Sequence, residues 1–528
     1  MTSPRSAPVE LTGADALVLR EALAPWTVDA VAELVGERAA RALDREQVVP
    51  ARLAARAAGS DRLALVTRLL ALGDEVSAAD AAIAFGGREA LAAAERSGLV
   101  ELAGSGAGDA ARAAADIRPY ATDLGGEPTT WWIASDLGEA VTHRELREDH
   151  VLGVGGASLT LASATMRAPV GTVLDLGTGC GIQALHAASH AETVTATDIS
   201  PRALAFAAFN LALNAPALAP AGAEAAHVDL REGSMLEPVE GECFDLVVTN
   251  PPFVITPPGA PSFEYRDTGA DGDAVMRELV SGIGAALAPG GVAHMLGNWE
   301  VRRGHEWSRR LDAWLDAASA AGHAVDAWII QRDVLDAAEY AETWLRDAGV
   351  TPERGRARFE RAYAAYLADF DGRGVEGVGF GLVVLRKPAA KRGTWRRLEE
   401  LEGPMQEPIG AHLAASLAAR DWLDSLTDQA LLDARLRVAS DVTHEAYGRP
   451  GSPDPEHILL RQGGGFGRAV RADTALAGFV GACDGELTVG QIAHALAALL
   501  DVAPGAMLEG IVPAARELVL DGMLERAA

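Results

Sequence analysis

The chain has 528 residues, a hydrophobic share of 49% and a formal net charge of −28. This length exceeds one ordinary hydrophobic core and predicts a central domain with appended domains, while the acidic charge disfavours a polyphosphate partner unless a locally basic face compensates. No run approaches the roughly 18 to 20 apolar residues of a membrane span, and the N-terminus lacks a basic-then-apolar leader, so a cytoplasmic protein without a membrane partner is expected.

Residues 1–105 are predicted to form a helical, winged-helix-like N-terminal domain. Leu63–Leu70 carries apolar residues on the helical period, further helices are expected from Glu75 and over Arg88–Ser97, and a short strand is expected at Gly98–Leu102. The third of these helices carries glutamates beside its arginines. We therefore favour a role for this helix in packing or in docking a partner over sequence-specific DNA binding.

Two strands are predicted before the central segment, Ile117–Tyr120 and Thr129–Asp136, joined across a turn at Gly125-Gly126. The adjacent Trp131 and Trp132 point to opposite faces of the second strand. We expect one tryptophan in a core and the other at an interface, with a substrate-binding wall as the alternative.

A β-branched and aliphatic run ends on Asp175 and enters a loop containing Gly177, Gly179 and Gly181. This order predicts a strand, a tight turn and a helix. The spacing differs from the G-x-G-x-x-G dinucleotide fingerprint, and no Gly-Lys-Ser/Thr follows to make a P-loop. The next predicted strand ends on Asp198, whose carboxylate can accept both hydroxyls of a ribose. Together these residues predict a site for a nucleoside-bearing cofactor.

The three cysteines are Cys180, Cys243 and Cys483, and they form no Cys-x-x-Cys pair. Neither a disulfide framework nor a zinc knuckle is therefore expected, and no metal site is predicted. Cys180 lies inside the glycine loop, where a small side chain beside a ligand is favoured over a chemical role.

A hydrophobic strand, Phe244–Thr249, runs directly into Asn250-Pro251-Pro252-Phe253. An amide or exocyclic nitrogen is a poor nucleophile because its lone pair is delocalised, and the Asn250 side-chain oxygen and the Pro251 carbonyl can accept its two hydrogens. The prolines hold that carbonyl rigidly, and Phe253 offers a face on which a planar group can stack. This turn predicts chemistry at nitrogen, in a site that works mainly by orientation.

With these motifs in place, the segment from about Val151 to Lys387 resembles the class I S-adenosylmethionine-dependent methyltransferases, specifically the methyltransferase small domain type with an Asn-Pro-Pro-aromatic turn. The resemblance implies an α/β fold, in which a Rossmann-like seven-stranded methyltransferase domain at 110–390 is flanked by mainly helical, winged-helix-like N- and C-terminal domains.

The resemblance also implies the roles of particular residues. Asp175 and the three loop glycines would hold the methionine part of S-adenosylmethionine, Asp198 would hold the ribose, and Ser234 and Met235 would lie at the adenine. An Asp is common in the family at the position of Ser234. Asn250, Pro251, Pro252 and Phe253 match the catalytic turn without departure.

The remaining strands of the domain are predicted at Val292–Trp299, Asp326–Gln331 and Gly377–Leu385. Between the last two, residues 337–370 are helical and rich in aromatic residues, which is long for a family that joins these strands by a hairpin. We interpret this insertion as a lid.

Two residues in the loop after the catalytic turn, Tyr265 and Arg266, are the candidate substrate contacts. His294 and His305 are interpreted as packing or surface histidines.

Residues 391–528 are predicted to form a C-terminal domain that is mostly helical to about Glu445 and then winged-helix-like. Gly463-Gly464-Gly465 is interpreted as a hairpin turn, because no helix N-terminus follows it to bind a phosphate. A capped helix is expected to start within Asp484–Ala493, and a closing helix and strand over Leu518–Glu525.

We therefore expect an S-adenosylmethionine-dependent methyltransferase that modifies nitrogen. The resemblance implies an acceptor that is an amino group of adenine or guanine in a nucleic acid, or the side-chain amide of a protein glutamine. The acidic charge favours a protein, peptide or small molecule. A ribosomal or transfer RNA, methylated at adenine N6 or guanine N2, is the alternative. A regulator that binds the cofactor without catalysis is a second alternative, from a different class.

Overall fold

The computed structural model describes residues 7–45, 47–142, 146–218, 225–258, 266, 272–450 and 455–527. It divides into two compact units, one formed by residues 1–162 and 168–400 and the other by residues 163–167 and 401–528. Within the described ranges, no helix has both the length and the apolar character needed to cross a membrane.

The N-terminal region of the first unit is mainly helical, with three short strands. Its elements are α1 (Gly13–Leu23), α2 (Val28–Val35), α3 (Glu37–Leu43), α4 (Val48–Ala57), α5 (Arg62–Val66) with a π-helical turn at Thr67–Ala71, β1 (Val76–Ser77), α6 (Ala78–Ala84), α7 (Arg88–Arg96), β2 (Val100–Leu102) and β3 (Ala110–Ala113). Helix α6 begins where the Ser77 side chain accepts a hydrogen bond from Asp80 N. Strand β3 pairs antiparallel with both β1 and β2; the predicted helices and the strand at Gly98–Leu102 are present, whereas β1 and β3 were not predicted.

The central part of the chain alternates strands and helices. Its elements are β4 (Asp116–Leu124), β5 (Glu127–Ser135), α8 (Glu139–Thr142), α9 (Gly156–Ala164), β6 (Val170–Leu176), α10 (Ile182–Ala188), β7 (Ala191–Asp198), α11 (Pro201–Asn214), β8 (His227–Glu232), β9 (Phe244–Thr249), α12 (Ala274–Gly282), β10 (Leu287–Arg302), α13 (Trp307–Ala320), β11 (Asp326–Asp336), α14 (Ala337–Asp347), α15 (Pro352–Arg373), β12 (Val375–Arg386) and β13 (Arg396–Glu400).

These strands form a sheet in the order β13-β11-β12-β10-β9-β6-β7-β8, in which β12 runs antiparallel to its two neighbours and the other pairs are parallel. The predicted Rossmann-like α/β class is confirmed. The sheet has one strand more than the seven expected, because β13 adds to the β11 edge. The charged sequence of β13 gives no strand signal, and side-chain bonds from Trp328 to Glu399 and from Gln331 to Glu400, both 2.7 Å, hold it there.

The apolar core of the domain packs α12 and α13 against one face of this sheet, around residues such as Val247, Met276 and Leu315. Strands β6, β7 and β9 are parallel neighbours, so their carboxyl ends lie at one edge of the sheet. Crevices at this edge are the usual ligand sites of open α/β sheets. Asp175, Asp198 and Asn250 all lie there.

The predicted hairpin of β4 and β5 turns at Gly125-Gly126 and is confirmed. Its two tryptophans are both buried. Trp131 stacks on Tyr120 at 5.9 Å between ring centroids, whereas Trp132 donates from Nε1 to the Trp26 carbonyl (2.9 Å), in the N-terminal region. The interpretation of one core and one interface tryptophan is therefore confirmed, and neither ring is left as an open wall.

Two asparagines on α11 bind the backbone of β5 as a neighbouring strand would. Trp132 N donates to Asn214 Oδ1 (3.0 Å), and Asn214 Nδ2 donates to the Trp132 carbonyl (2.9 Å). One helical turn earlier, Asn210 makes the same pair of bonds with Ala134. Both asparagines are fully buried, so α11 satisfies backbone groups that the two-stranded hairpin could not satisfy by itself.

The elements of the second unit are α16 (Gly410–Asp424), α17 (Asp428–Leu432), β14 (Arg435–Val438), β15 (Val442–Tyr447), β16 (His457–Gln462), β17 (Ala469–Ala472), α18 (Thr474–Gly481), β18 (Asp484–Thr488), α19 (Val489–Leu499), α20 (Pro504–Leu520) and β19 (Leu524–Arg526). They form a separate apolar core, and their strands make two small sheets in the orders β18-β14-β19 and β15-β16-β17. The triple glycine joins the antiparallel pair β16 and β17, and Thr488 with Gln491 forms a capping box at the start of α19. The hairpin turn and the capped helix are confirmed.

We predict that Asn214→Ala lowers the stability of the first unit by about 2–4 kcal/mol, because it leaves the buried N–H and C=O of Trp132 without partners. Thermal unfolding followed by circular dichroism would measure this as a lower midpoint temperature. Thr193→Ala is the control, since it removes one exposed side-chain bond of 3.3 Å. Equal midpoints for the two variants would contradict the structural role of Asn214.

Candidate active site

Asp175 is the last acidic residue of β6 and is buried beneath the glycine loop. Its Oδ2 accepts a hydrogen bond of 2.6 Å from Thr178 Oγ1, so the carboxyl group orders the loop from below. Burial raises the pKa of Asp175 to about 7, with a smaller contribution from the negative charge of Asp198. The carboxyl group can therefore change its charge near neutral pH.

The three loop glycines differ in what surrounds them. At Gly177 and Gly179, both with positive φ, no atom of the described residues lies within 4 Å of the place where a Cβ would be. At Gly181, which starts α10, a Cβ would lie 3.0 Å from Ala207 Cα on α11. The first two glycines leave open space against the sheet edge, which fits the methionine part of the predicted cofactor, while the third allows two helices to pack closely.

Asp198 ends β7 and is joined to the loop across the sheet. Gly179 N donates to Asp198 Oδ2 and Ser200 N donates to Oδ1, each at 2.9 Å. Burial raises the pKa of Asp198 above its ordinary value, and these backbone bonds oppose the rise. Each carboxylate oxygen keeps a further lone pair, so the group can also accept the ribose hydroxyls that were predicted for it.

Ser234 and Met235 follow β8, whose last residue, Glu232, pairs with Asp198. Ser234 is exposed, and Met235 is half-buried against the central core. Met235 has φ of 48°, which is unusual for a residue with a side chain and is found mostly in turns and functional sites. The turn lies beside the ribose-binding position, as an adenine contact requires. That role stays a prediction.

The catalytic turn begins where β9 ends. Asn250 Oδ1 is buried and accepts no hydrogen bond from the described residues. Pro251 is buried, and Phe253 is half-buried with its ring edge-on to Phe380, at 6.5 Å between centroids. An unpaired buried amide oxygen costs free energy of folding unless it meets a donor, and here it leaves an acceptor free at the end of β9.

The helical insertion supports the segment that follows this turn. Ile255 N donates to the Tyr340 hydroxyl at 2.8 Å, and Tyr340, Tyr366 and Phe370 are buried in one cluster with Val254. The lid interpretation therefore needs correction: α14 and α15 pack onto the chain behind the turn because their aromatic residues face that chain.

The two candidate substrate contacts have different outcomes. Tyr265 lies outside the described residues. Arg266 is 3% exposed, its Nη1 is 2.6 Å from Asp347 Oδ2, and its carbonyl accepts a 2.9 Å bond from Val254 N. These bonds favour a residue that positions the loop, and the direct substrate contact stays a prediction.

Cys180, His294 and His305 have the surroundings that were predicted for them. Burial raises the pKa of the Cys180 thiol to about 12, so it stays protonated, in agreement with a small packing residue. Burial lowers the pKa of His294 to about 4, whereas His305 is exposed. The interpretation of one packing and one surface histidine is confirmed.

A comparison of the sequence with models of known protein families matches the region that contains these residues. Residues 153–302 match the family model described as the methyltransferase small domain. This match is confined to the central part of the chain. The predicted resemblance to this family is thus confirmed, and the glycine loop, Asp198 and the Asn250–Phe253 turn lie within the matched segment. Residues 23–114 match a second model, described as a domain of unknown function, DUF7059.

Curated relatives carry related names. A release factor glutamine methyltransferase of Deinococcus radiodurans is 40% identical over 129 residues, which cover 22% of this chain and 42% of the relative. A ribosomal protein uL3 glutamine methyltransferase of Bradyrhizobium diazoefficiens is 31% identical over 202 residues, 36% of this chain and 59% of the relative. The chain spans about half the length of the curated relatives it matches.

Among solved structures, a methyltransferase from Pyrococcus furiosus covers 44% of this chain and 81% of its own, with 15% identity and a TM-score of 0.25. A ribosomal protein L11 methylase from Lactobacillus delbrueckii subsp. bulgaricus covers 34% and 72%, with 23% identity and a TM-score of 0.23. These scores are low, so the fold of the small domain rests on the strand order described above.

We predict that the effect of Asp175→Asn on stability depends on pH. The pKa of Asp175 is about 7 when folded and 3.8 in the reference state, so between these values the folded chain holds a proton that the unfolded chain releases. Wild-type stability therefore falls as pH rises from about 4 to about 7, and asparagine does not share this loss. The gain from Asp175→Asn should be about 2–3 kcal/mol larger at pH 8 than at pH 5.

Denaturant unfolding of both proteins at the two pH values would measure this difference. Asparagine keeps an oxygen that can accept from Thr178, so the comparison isolates the charge. A gain of the same size at both pH values would show that Asp175 is not the group that titrates.

Proposed function

We propose that the chain is an S-adenosylmethionine-dependent N-methyltransferase that acts in the cytoplasm on the side-chain amide of a protein glutamine. The observation that carries this proposal is the buried, unpaired Asn250 Oδ1, at the start of Asn-Pro-Pro-Phe and at the same sheet edge as the glycine loop. The names of the curated relatives, which act on glutamine in a release factor and in a ribosomal protein, support the acceptor.

The residues fit the cofactor. Open space at Gly177 and Gly179 would receive the methionine part, Asp198 would accept the ribose hydroxyls, and Met235 would lie at the adenine. When bound, S-adenosylmethionine supplies a methyl group activated by a positively charged sulfur. Asp175 and Asp198 place carboxyl groups beside that positive charge, which favours binding when they are ionised.

The acceptor nitrogen is activated by the turn itself. Asn250 Oδ1 accepts one hydrogen of the amide NH₂, and the Pro251 carbonyl accepts the other, which favours a pyramidal nitrogen with a directed lone pair. Phe253 packs against the planar amide, and its ring is held edge-on by Phe380. The nitrogen lone pair would form the bond to the methyl group as the sulfur–methyl bond breaks and a neutral thioether leaves. The proton that the nitrogen then loses passes to water, so no acid–base residue is needed before transfer.

The rigidity of the turn supports this chemistry. Pro251 and Pro252 have fixed φ, and the Tyr340 hydroxyl holds the Ile255 N–H two residues after Phe253. Catalysis by orientation requires acceptors that do not move when substrate binds.

We predict that Asn250→Ala lowers methyl transfer about 10²- to 10³-fold, because it removes one of two acceptors for the amide hydrogens. Affinity for S-adenosylmethionine, measured by calorimetry, should change less than about twofold, since Asn250 lies beyond the glycine loop. Asn250→Asp keeps an acceptor oxygen and should retain more activity than Asn250→Ala. Full transfer by Asn250→Ala would overturn the catalytic role and favour a regulator that only binds cofactor.

The acceptor class is tested with methyl-labelled S-adenosylmethionine and a cell extract. Label that survives nuclease and is lost on protease treatment would support a protein acceptor. Acid hydrolysis of the labelled protein should then release labelled methylamine from the modified glutamine amide. Label that is lost on nuclease treatment would instead establish the RNA alternative.

A further inference from the structure

A second buried amide lies close to the catalytic turn. Asn298, on β10, is fully buried. Its Nδ2 donates to the Tyr340 hydroxyl at 3.3 Å, but its Oδ1 accepts no hydrogen bond from the described residues. Asn298 therefore shares with Asn250 a feature that is rare in folded proteins, a buried side-chain oxygen without a donor.

The strand register places both asparagines on one face of the sheet. Strand β10 is parallel to β9, with His294 opposite Val248 and Met295 opposite Thr249. Side chains alternate along a strand, so Asn298 shares the face of His294, and Asn250 shares the face of Val248. Asn250 follows directly after Thr249, the last paired residue of β9, so both asparagines lie toward the same end of these two strands.

The tyrosine contact fixes the direction of the Asn298 amide. The Tyr340 hydroxyl accepts from Ile255 N (2.8 Å) on the segment behind the turn and from Asn298 Nδ2 on the neighbouring strand. With its NH₂ held by Tyr340, the amide turns its oxygen away from that tyrosine. The catalytic turn and Asn298 are thus positioned by the same hydroxyl.

We infer that Asn298 is a second substrate-binding residue, whose Oδ1 accepts a hydrogen bond from a main-chain N–H of the peptide that carries the methylated glutamine. This inference rests on the proposed function. The two hydrogens of the glutamine amide are already assigned to Asn250 Oδ1 and the Pro251 carbonyl. A third acceptor within reach therefore needs a third donor, and main-chain N–H groups are the donors that every peptide presents.

This arrangement also separates a peptide from one of the two nucleobase acceptors. The amino group of adenine is flanked by ring nitrogens that accept hydrogen bonds, so adenine would leave the Asn298 oxygen unpaired, whereas guanine has an N1–H donor beside its amino group. A peptide satisfies all three oxygens at once. Asn298 thus contributes to the choice of acceptor as well as to its binding.

The test compares Asn298→Leu with a matched buried asparagine. Leucine has a similar shape but removes both the unpaired oxygen and the 3.3 Å bond from Nδ2 to Tyr340, so a small fall in the unfolding midpoint is expected, while the affinity for S-adenosylmethionine should stay unchanged. The acceptor probe is the protein fraction of a nuclease-treated cell extract, labelled from methyl-labelled S-adenosylmethionine. The amount of extract protein that gives half-maximal labelling should rise on the order of tenfold.

Asn214→Ala is the control, since Asn214 is equally buried but has partners for both amide atoms. It should lower the unfolding midpoint and leave the half-maximal amount of extract protein unchanged. If the Asn298→Leu protein does not fold, Asn298→Ala is measured in its place.

Three results would be decisive. A half-maximal amount within twofold of wild type for Asn298→Leu would overturn the inference and leave the proposed function intact. Parallel losses of stability, cofactor affinity and transfer would also overturn it, because they indicate a structural role. Label in RNA and in no protein, with the wild-type chain and untreated extract, would overturn the proposed acceptor and this inference with it.

Discussion

Parallel pairing of β6 with β7 and β9 is the constraint on which the candidate site depends. It brings Asp175, Asp198 and Asn250 to one sheet edge although they are separated along the chain. The bond from Gly179 N to Asp198 then ties the loop after β6 to the end of β7, and Thr249 Oγ1 donates to the Leu176 carbonyl at 2.7 Å to tie β9 to β6. The glycine loop and the Asn250–Phe253 turn are therefore held in fixed positions relative to each other.

Buried asparagines in this unit divide into two kinds. Asn210 and Asn214 have partners for both amide atoms and replace a missing strand beside β5. Asn250 and Asn298 each keep a buried oxygen without a donor from the described chain. A folded protein tolerates such an oxygen only at a cost, and a site that must receive N–H groups is a physical reason for that cost. Hydrogen-bond satisfaction thus distinguishes Asn210 and Asn214 from Asn250 and Asn298.

Local patterns were enough to predict where the glycine loop, Asp198 and the Asn250–Phe253 turn lie in the fold, because each comes at the end of a strand or directly after it. The contacts that support the turn could not be predicted in this way. Arg266 meets Asp347 across 81 residues, and Asn298 meets Tyr340 across 42. Neither pair has a local periodicity, and β13 is too charged to resemble a strand. Burial and unpaired atoms, which decide the interpretation of Asn298, are properties of the folded chain alone.

The N-terminal region is joined to the glycine loop through a continuous set of buried contacts. The Trp26 carbonyl accepts from Trp132 Nε1, and the backbone of Trp132 pairs with Asn214 on α11. One turn earlier on the same helix, Asn210 Nδ2 donates to the Cys180 carbonyl inside the loop at 2.8 Å. Because α11 also meets Gly181 through Ala207, the helix contacts the loop at two points. The N-terminal region therefore packs as a part of the scaffold behind the cofactor loop, which gives a physical reason for its place in the first compact unit.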